Sequence, residues 1–351
     1  MSLGAQFQEA EMKEQLMQAD VLSQQGKWAE AVNLLCTLNQ GQPDIGIERK
    51  LVDIRLQAHT AQQWLAPIAP WAGEWENYPA NGHGIDEIES AAFNASTLAK
   101  GILGRGALLV RGLVPQEITQ ELKEAIDTTI LAREQENQTD TSPWKYVSPH
   151  MKGRPSNFGA KDATKRTAVK KGSIWVAESP RIMQRLIELY GELGLRSVLT
   201  EYFAEPPVLS AKKWVLRKIA PDAIPADWHQ DGRFLGTDFH SVNMWMPLSE
   251  CGAGADAAGL ETIPTAHRKI HETGTRGAAF NWSVGRDLVE GLKQDLPAFE
   301  PRFRPGDVLF FDHYNLHRTA FGAHLTQDRY AVESWFFSSS SVPQKLMPIL
   351  F

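Results

Sequence analysis

The stretch DWHQDGRF sets His229 and Asp231 two positions apart. In an extended strand, residues i and i+2 point to the same face, so an imidazole and a carboxylate at this spacing can grip one object together. On a helix the same pair diverges. A metal ion is the object that suits both groups. An H-x-D triplet arises easily by chance in a chain with ten histidines, so the reading needs a third ligand.

Further along, FRPGDVLFFDHYNLHRTAF carries a turn, an apolar strand and two histidines, His313 and His317. Arg329 stands twelve residues past His317 and opens the strand RYAVESWFF. Two histidines and one carboxylate, with positions left open, form the facial triad of non-haem Fe(II) oxygenases, where the open positions admit O2 and an organic co-substrate. His313 competes for the third place, but NLHRT and the spacing to Arg329 favour His317. His240, His267, His271 and His324 read as peripheral. A zinc hydrolase accepts the same ligands, but no general-base motif accompanies them here and Arg329 would have no role.

The combination of H-x-D, a gap of roughly 85 residues, G-D-x followed by apolar residues, H-R-T and a later Arg resembles the phytanoyl-CoA dioxygenase family. GLETIPTAHRK is similar to that family's segment ending in P-G-S-H, with Pro264-Thr265-Ala266-His267 as the departure. The resemblance covers roughly residues 100 to 340. It implies an Fe(II)/2-oxoglutarate dioxygenase, a hydroxylase on a double-stranded β-helix of jelly-roll type, with His229, Asp231 and His317 as catalytic iron ligands. Arg329 becomes the partner of the distal carboxylate of 2-oxoglutarate, for which a planar guanidinium is suited. Thr319 matches a hydroxyl that helps hold that carboxylate, and Trp245 an aromatic wall beside it. Relatives that halogenate carry Gly or Ala at the carboxylate position, so Asp231 implies oxygen insertion.

The elements that must position these residues divide the chain into 1–66 and 67–351. The first part reads as amphipathic helices, and QQGKWAEAVNLL resembles a tetratricopeptide helix pair with Gly26 in the turn. One such pair cannot make a solenoid; it is a helical hairpin docked on the main domain, or a surface for a protein partner or self-association. LAPIAPWAGEWENYPANGHG reads as a linker. A strand and helix follow, GALLVRGLVPQEITQELKEAIDTTILA. Residues 144–172 hold eight Lys or Arg and one Asp, a solvated loop or a lid favouring an anionic ligand. From Val208 onward, short apolar runs separated by Gly, Pro, Asp and Asn predict a mainly β sandwich or barrel with flanking helices.

A net charge of -6 over 351 residues gives no support for nucleic-acid binding. Two distant cysteines, Cys36 and Cys251, argue against disulfides and thiolate clusters. No apolar run of membrane-spanning length is present, and a cytoplasmic protein acting on a small molecule is expected. Trp175, Trp214 and Arg217 are candidates for the substrate pocket. The competing reading is a non-catalytic binding protein on the same fold.

Overall fold

The computed structural model describes residues 3–61, 84–134, 142–151, 173–223, 226–264, 268–349 and 351. Most of the expected linker, the basic run 152–172 and residues 265–267, with His267, lie outside them.

The strands expected beyond Val208 form the body of the molecule. Its main sheet has eight strands. β1 (Asp86–Glu89), β2 (Ala107–Arg111), β9 (Val308–Phe311), β5 (Ser241–Pro247), β11 (Arg329–Ser338), β4 (Pro207–Ile219) and β12 (Pro348–Ile349) follow one another across it, and β3 (Ser173–Trp175) also pairs with β4. Only β1 and β2 run parallel among these pairs. The strands read as apolar runs because both faces are covered. Val308, Phe310, Val332, Phe336, Trp214 and Leu216 enter a core shared with helices, whereas Leu309, Phe311, Ala331, Trp335 and Phe337 enter a second core on the other face.

The helix-side core receives α4 (Ala95–Arg105), α5 (Gln116–Glu134), α6 (Pro180–Glu192) and α7 (Leu195–Phe203). α4 starts on a capping box, in which Asn94 and Thr97 satisfy each other's backbone N–H groups. It ends on Gly106 in the left-handed region, as helix C-termini commonly do. Two short pairs complete the strands, β6 (Cys251–Gly252) with β8 (Arg302–Phe303) and, opposite the main sheet, β7 (Leu260–Ile263) with β10 (Leu316–Thr319), the latter extended by a bridge between His229 and His317. Two sheets facing each other with helices outside is the double-stranded β-helix.

At the N-terminus, α1 (Leu3–Gln24), α2 (Trp28–Asn39) and α3 (Ile45–Ala61) pack around Ala19, Ala31, Leu35, Ile47 and Leu51. α3 is also part of the larger body, because Val52 and Leu56 enter the helix-side core. The Asp53 carboxylate accepts hydrogen bonds from Tyr146 (2.6 Å) and Ser148 (2.5 Å). The described beginning of the basic segment is thereby tied to α3. No helix among the described residues is long and apolar enough to cross a membrane.

Candidate metal centre

His229 and His317 lie far apart in sequence yet form one hydrogen-bonded antiparallel pair. His229 N donates to His317 O (2.9 Å) and His317 N to His229 O (3.1 Å). Opposed residues of such a pair point to the same face, and the two rings lie 4.4 Å apart between centroids. Trp228 and Leu316, one position back on each segment, enter the separate cluster on the outer side. Each imidazole is oriented through Nδ1 by the carbonyl two residues before it, Asp227 at 2.7 Å and Asn315 at 3.2 Å. A proton on Nδ1 leaves the Nε2 lone pair for a ligand.

Asp231 reaches the same point by a route the sequence did not suggest. The strand-like pairing ends at His229, and Asp231 has helical backbone angles at the head of one turn, Gly232–Leu235. Gln230 points away and is pinned by Lys269 O, Tyr314 O and His271 N. The ligand atoms of His229, Asp231 and His317 all lie within 4.8 Å of one another, a grouping that can hold a metal ion.

The electrostatics suit a cation. Burial alone would raise the Asp231 pKa, but the Lys213 ammonium, with His229 and His317, holds it well below the usual carboxylate range. Lys213 donates to Asp231 Oδ1 at 2.8 Å, while Oδ2 lies 3.8 Å from His317 Nε2. Burial and the neighbouring His229 push His317 down to about 4, so it is a neutral lone-pair donor at neutral pH.

These groups line one cavity of about 420 Å³, together with Arg329, Thr319 and Trp245. Arg329 is buried (4% exposed) and donates to the carbonyls of Ala258 and Gly259, both at 3.2 Å. Among the described residues its Nε has no hydrogen-bond partner and no carboxylate forms an ion pair with it. Burial pushes its pKa down to about 10, and its guanidinium lies 5.5 Å from the Trp245 ring. A buried cation without an anion is costly, and an anion entering this cavity would offset that cost.

A family model described as Phytanoyl-CoA dioxygenase (PhyH) matches residues 104–329, a span containing His229, Asp231 and His317 and ending on Arg329. The chain belongs to the phytanoyl-CoA dioxygenase family. No curated protein matches it. Among solved structures it is similar to the apoform of EctD from S. alaskensis, with 16% identity and a TM-score of 0.50, covering 82% of this chain and 86% of that one. EvdO2 from Micromonospora carbonacea var. aurantiaca complexed with 2-oxoglutarate matches with 15% identity and a TM-score of 0.45, covering 72% and 95%. The non-heme alpha ketoglutarate dependent carbocyclase SnoK matches with 12% identity and a TM-score of 0.46, covering 74% and 87%. The EctD likeness concerns the fold. Fe(II), 2-oxoglutarate and O2 are the cofactor and co-substrates of this oxygenase family, and the donor set here fits the metal.

For this member of the phytanoyl-CoA dioxygenase family, one expectation needs correction. Trp214 is fully buried on the helix side of β4, where its indole N–H donates to Tyr190 (3.1 Å), so it leaves the substrate candidates. Trp175 pairs opposite Val215 and is not among the residues lining the cavity. Arg217 does line it, held by Glu333 at 2.7 Å. Lys213 and Glu333 were missed, although KKWVLRKI places Lys213 and Arg217 four apart on one strand face. Lys213 sits where β4 departs from the register of β11, between the pairs Ser334–Trp214 and Phe336–Leu209. Bulges commonly re-aim a side chain next to an active site.

His313 is no part of the constellation. Its ring is fully buried, bonded through Nδ1 to Ser241 (2.8 Å) and packed on Phe239. Burial, aided by Arg268, pushes its pKa down to about 3. Between that value and the ordinary value of about 6.5, the unfolded chain binds a proton that the native state refuses. This contribution to stability is complete above about pH 6.5 and is lost as pH falls toward 3, by at most about 1.4 kcal/mol per pH unit. Urea unfolding of metal-free protein should show a shallower loss across that window in His313→Gln. Identical slopes would place the proton uptake elsewhere.

Proposed function

We propose that the protein is an Fe(II)/2-oxoglutarate-dependent hydroxylase of a small organic molecule. His229 and His317 hold the metal through Nε2, Asp231 holds it through Oδ2, and Arg329 with Thr319 takes the distal carboxylate of 2-oxoglutarate. The observation that carries this reading is Arg329: a buried guanidinium, lacking a carboxylate partner among the described residues, in the same cavity as the triad.

When bound, iron supplies the oxidative chemistry that couples decarboxylation of 2-oxoglutarate to attack on a C–H bond. The chain's own residues do the positioning. The carbonyls of Asp227 and Asn315 fix both imidazoles, and Lys213 orients the Asp231 carboxylate through Oδ1, leaving Oδ2 toward the metal. Trp245 and Phe311 wall the cavity and limit water in it. Asp231 fills the place that a halide would need, which supports oxygen insertion.

Purified protein given Fe(II) and 2-oxoglutarate under air should release succinate slowly without added substrate, and His317→Ala should not. Binding of 2-oxoglutarate without succinate release would instead identify a binding protein on an oxygenase fold.

A further inference from the structure

Beside the metal site stands an aromatic group that the hydroxylase reading leaves without a role. Phe280 and Trp282 are stacked, with centroids 4.8 Å apart and planes 3° from parallel. Phe234 leans on Trp282 at 6.0 Å, and Trp282 presents itself at right angles to the His229 ring at 5.5 Å. All three line the cavity, while Phe234 and Phe280 are 46% and 36% exposed. Single exposed aromatics are ordinary, but a contiguous patch on a cavity rim marks a binding surface. This one is held in place. Ser283 exchanges hydrogen bonds with the backbone of Phe280, and Val284 N donates to Trp228 O at 2.8 Å, immediately before His229.

Charge selects the kind of molecule. Lys213, Arg217 and Arg329 face Asp231 and Glu333 in the cavity, an excess of one positive charge. Fe(II) and doubly charged 2-oxoglutarate cancel each other, so the loaded cavity keeps that excess. Lys213 gives Asp231 one of its three N–H donors, and Arg217 gives Glu333 and Ser173 three of its five. Both side chains are partly open, at 25% and 30% exposure. An aromatic face alone also attracts cations, but a cation here would meet Lys213, Arg217 and the metal.

We propose that the substrate is an organic anion with a flat, unsaturated body. The body lies on the Phe280–Trp282 stack and the anionic group takes the remaining donors of Lys213 and Arg217. This rests on the hydroxylase reading of the same site.

Calorimetry under nitrogen, on protein loaded with Fe(II) and 2-oxoglutarate, tests it with three probes. Indole-3-acetate is flat and anionic, indole-3-ethylamine is flat and cationic, and cyclohexylacetate is anionic without a flat face. Indole-3-acetate should bind about tenfold or more tightly than the others, Trp282→Ala should weaken it about tenfold, and Trp282→Phe should restore most of the loss. Equal binding of the cationic probe, unchanged binding to Trp282→Ala, or no probe binding below about 10 mM would overturn the proposal. Binding of 2-oxoglutarate is measured in the same samples. If it persists and depends on Arg329, the failure belongs to the substrate assignment alone; if it is absent, the hydroxylase reading fails first.

Discussion

Replacing Asp231 by alanine is expected to lower Fe(II) affinity by well over about a hundredfold, since losing even an outer partner of a metal ligand costs 10–100-fold. Two effects act together. The only carboxylate of the triad is gone, and Lys213, which donated to it at 2.8 Å, now presents an ammonium without that hydrogen-bonded partner to the arriving cation. The second effect separates this variant from an ordinary ligand deletion. Adding Lys213→Met to Asp231→Ala should recover part of the affinity, although the double variant has no more ligands than the single one. Equilibrium dialysis with metal analysis reads both. Full iron occupancy in Asp231→Ala would remove this carboxylate from the ligand set.

Arg329→Ala is expected to raise the KM for 2-oxoglutarate at least about tenfold, because a charge-assisted carboxylate contact contributes about 1.5–3 kcal/mol. Thermal unfolding offers a second reading. At a hundred times its Kd a ligand stabilises the native state by about 2.7 kcal/mol, and a tenfold weaker Kd at the same concentration leaves about 1.4 kcal/mol. The ligand-free variant should lose some stability of its own, since the carbonyls of Ala258 and Gly259 lose their donor, so the comparison is of the gain on adding ligand. An unchanged KM would transfer the role to another cation, with Arg217 the first to test. Arg329→Lys should recover only part, as an ammonium cannot make the two parallel bonds of a guanidinium.

The residues brought together around the triad were legible as a combination, because metal-ligating and carboxylate-binding types recur at a spacing that none of them specifies alone. An H-x-D in a Gly-punctuated turn, an H-R-T closing an apolar strand and an Arg opening the next one are each ordinary alone, and conspicuous only in that order and spacing. The β-rich second half was legible from its turns, and the N-terminal helices from their period. Other features depend on contacts that no local pattern encodes. Lys213 reads as one more charge in KKWVLRKI, and only the irregular pairing of β4 with β11 delivers it to Asp231. Asp231 itself is helical where an extended strand is the simplest reading. Phe280 and Trp282 sit in a loop without periodicity, so their stacking shows only in three dimensions. Trp214 misled because a tryptophan next to Lys213 and three residues from Arg217 looks local to the site, whereas strand alternation sends it to the opposite face.

The reciprocal backbone bonds of His229 and His317 also separate what inheritance can vary from what it must keep. The stretch joining them runs through β5, β7 and β9 as well as the loop carrying Phe280 and Trp282, and its loops can lengthen or shorten without touching the bridge. A slip of one residue at the bridge would turn an imidazole to the outer side, where Trp228 and Leu316 now lie. Insertions and deletions in descendants of this chain should therefore accumulate in the aromatic loop and vanish abruptly at the two histidines. Substrate choice can drift by small steps while the metal site is either intact or lost.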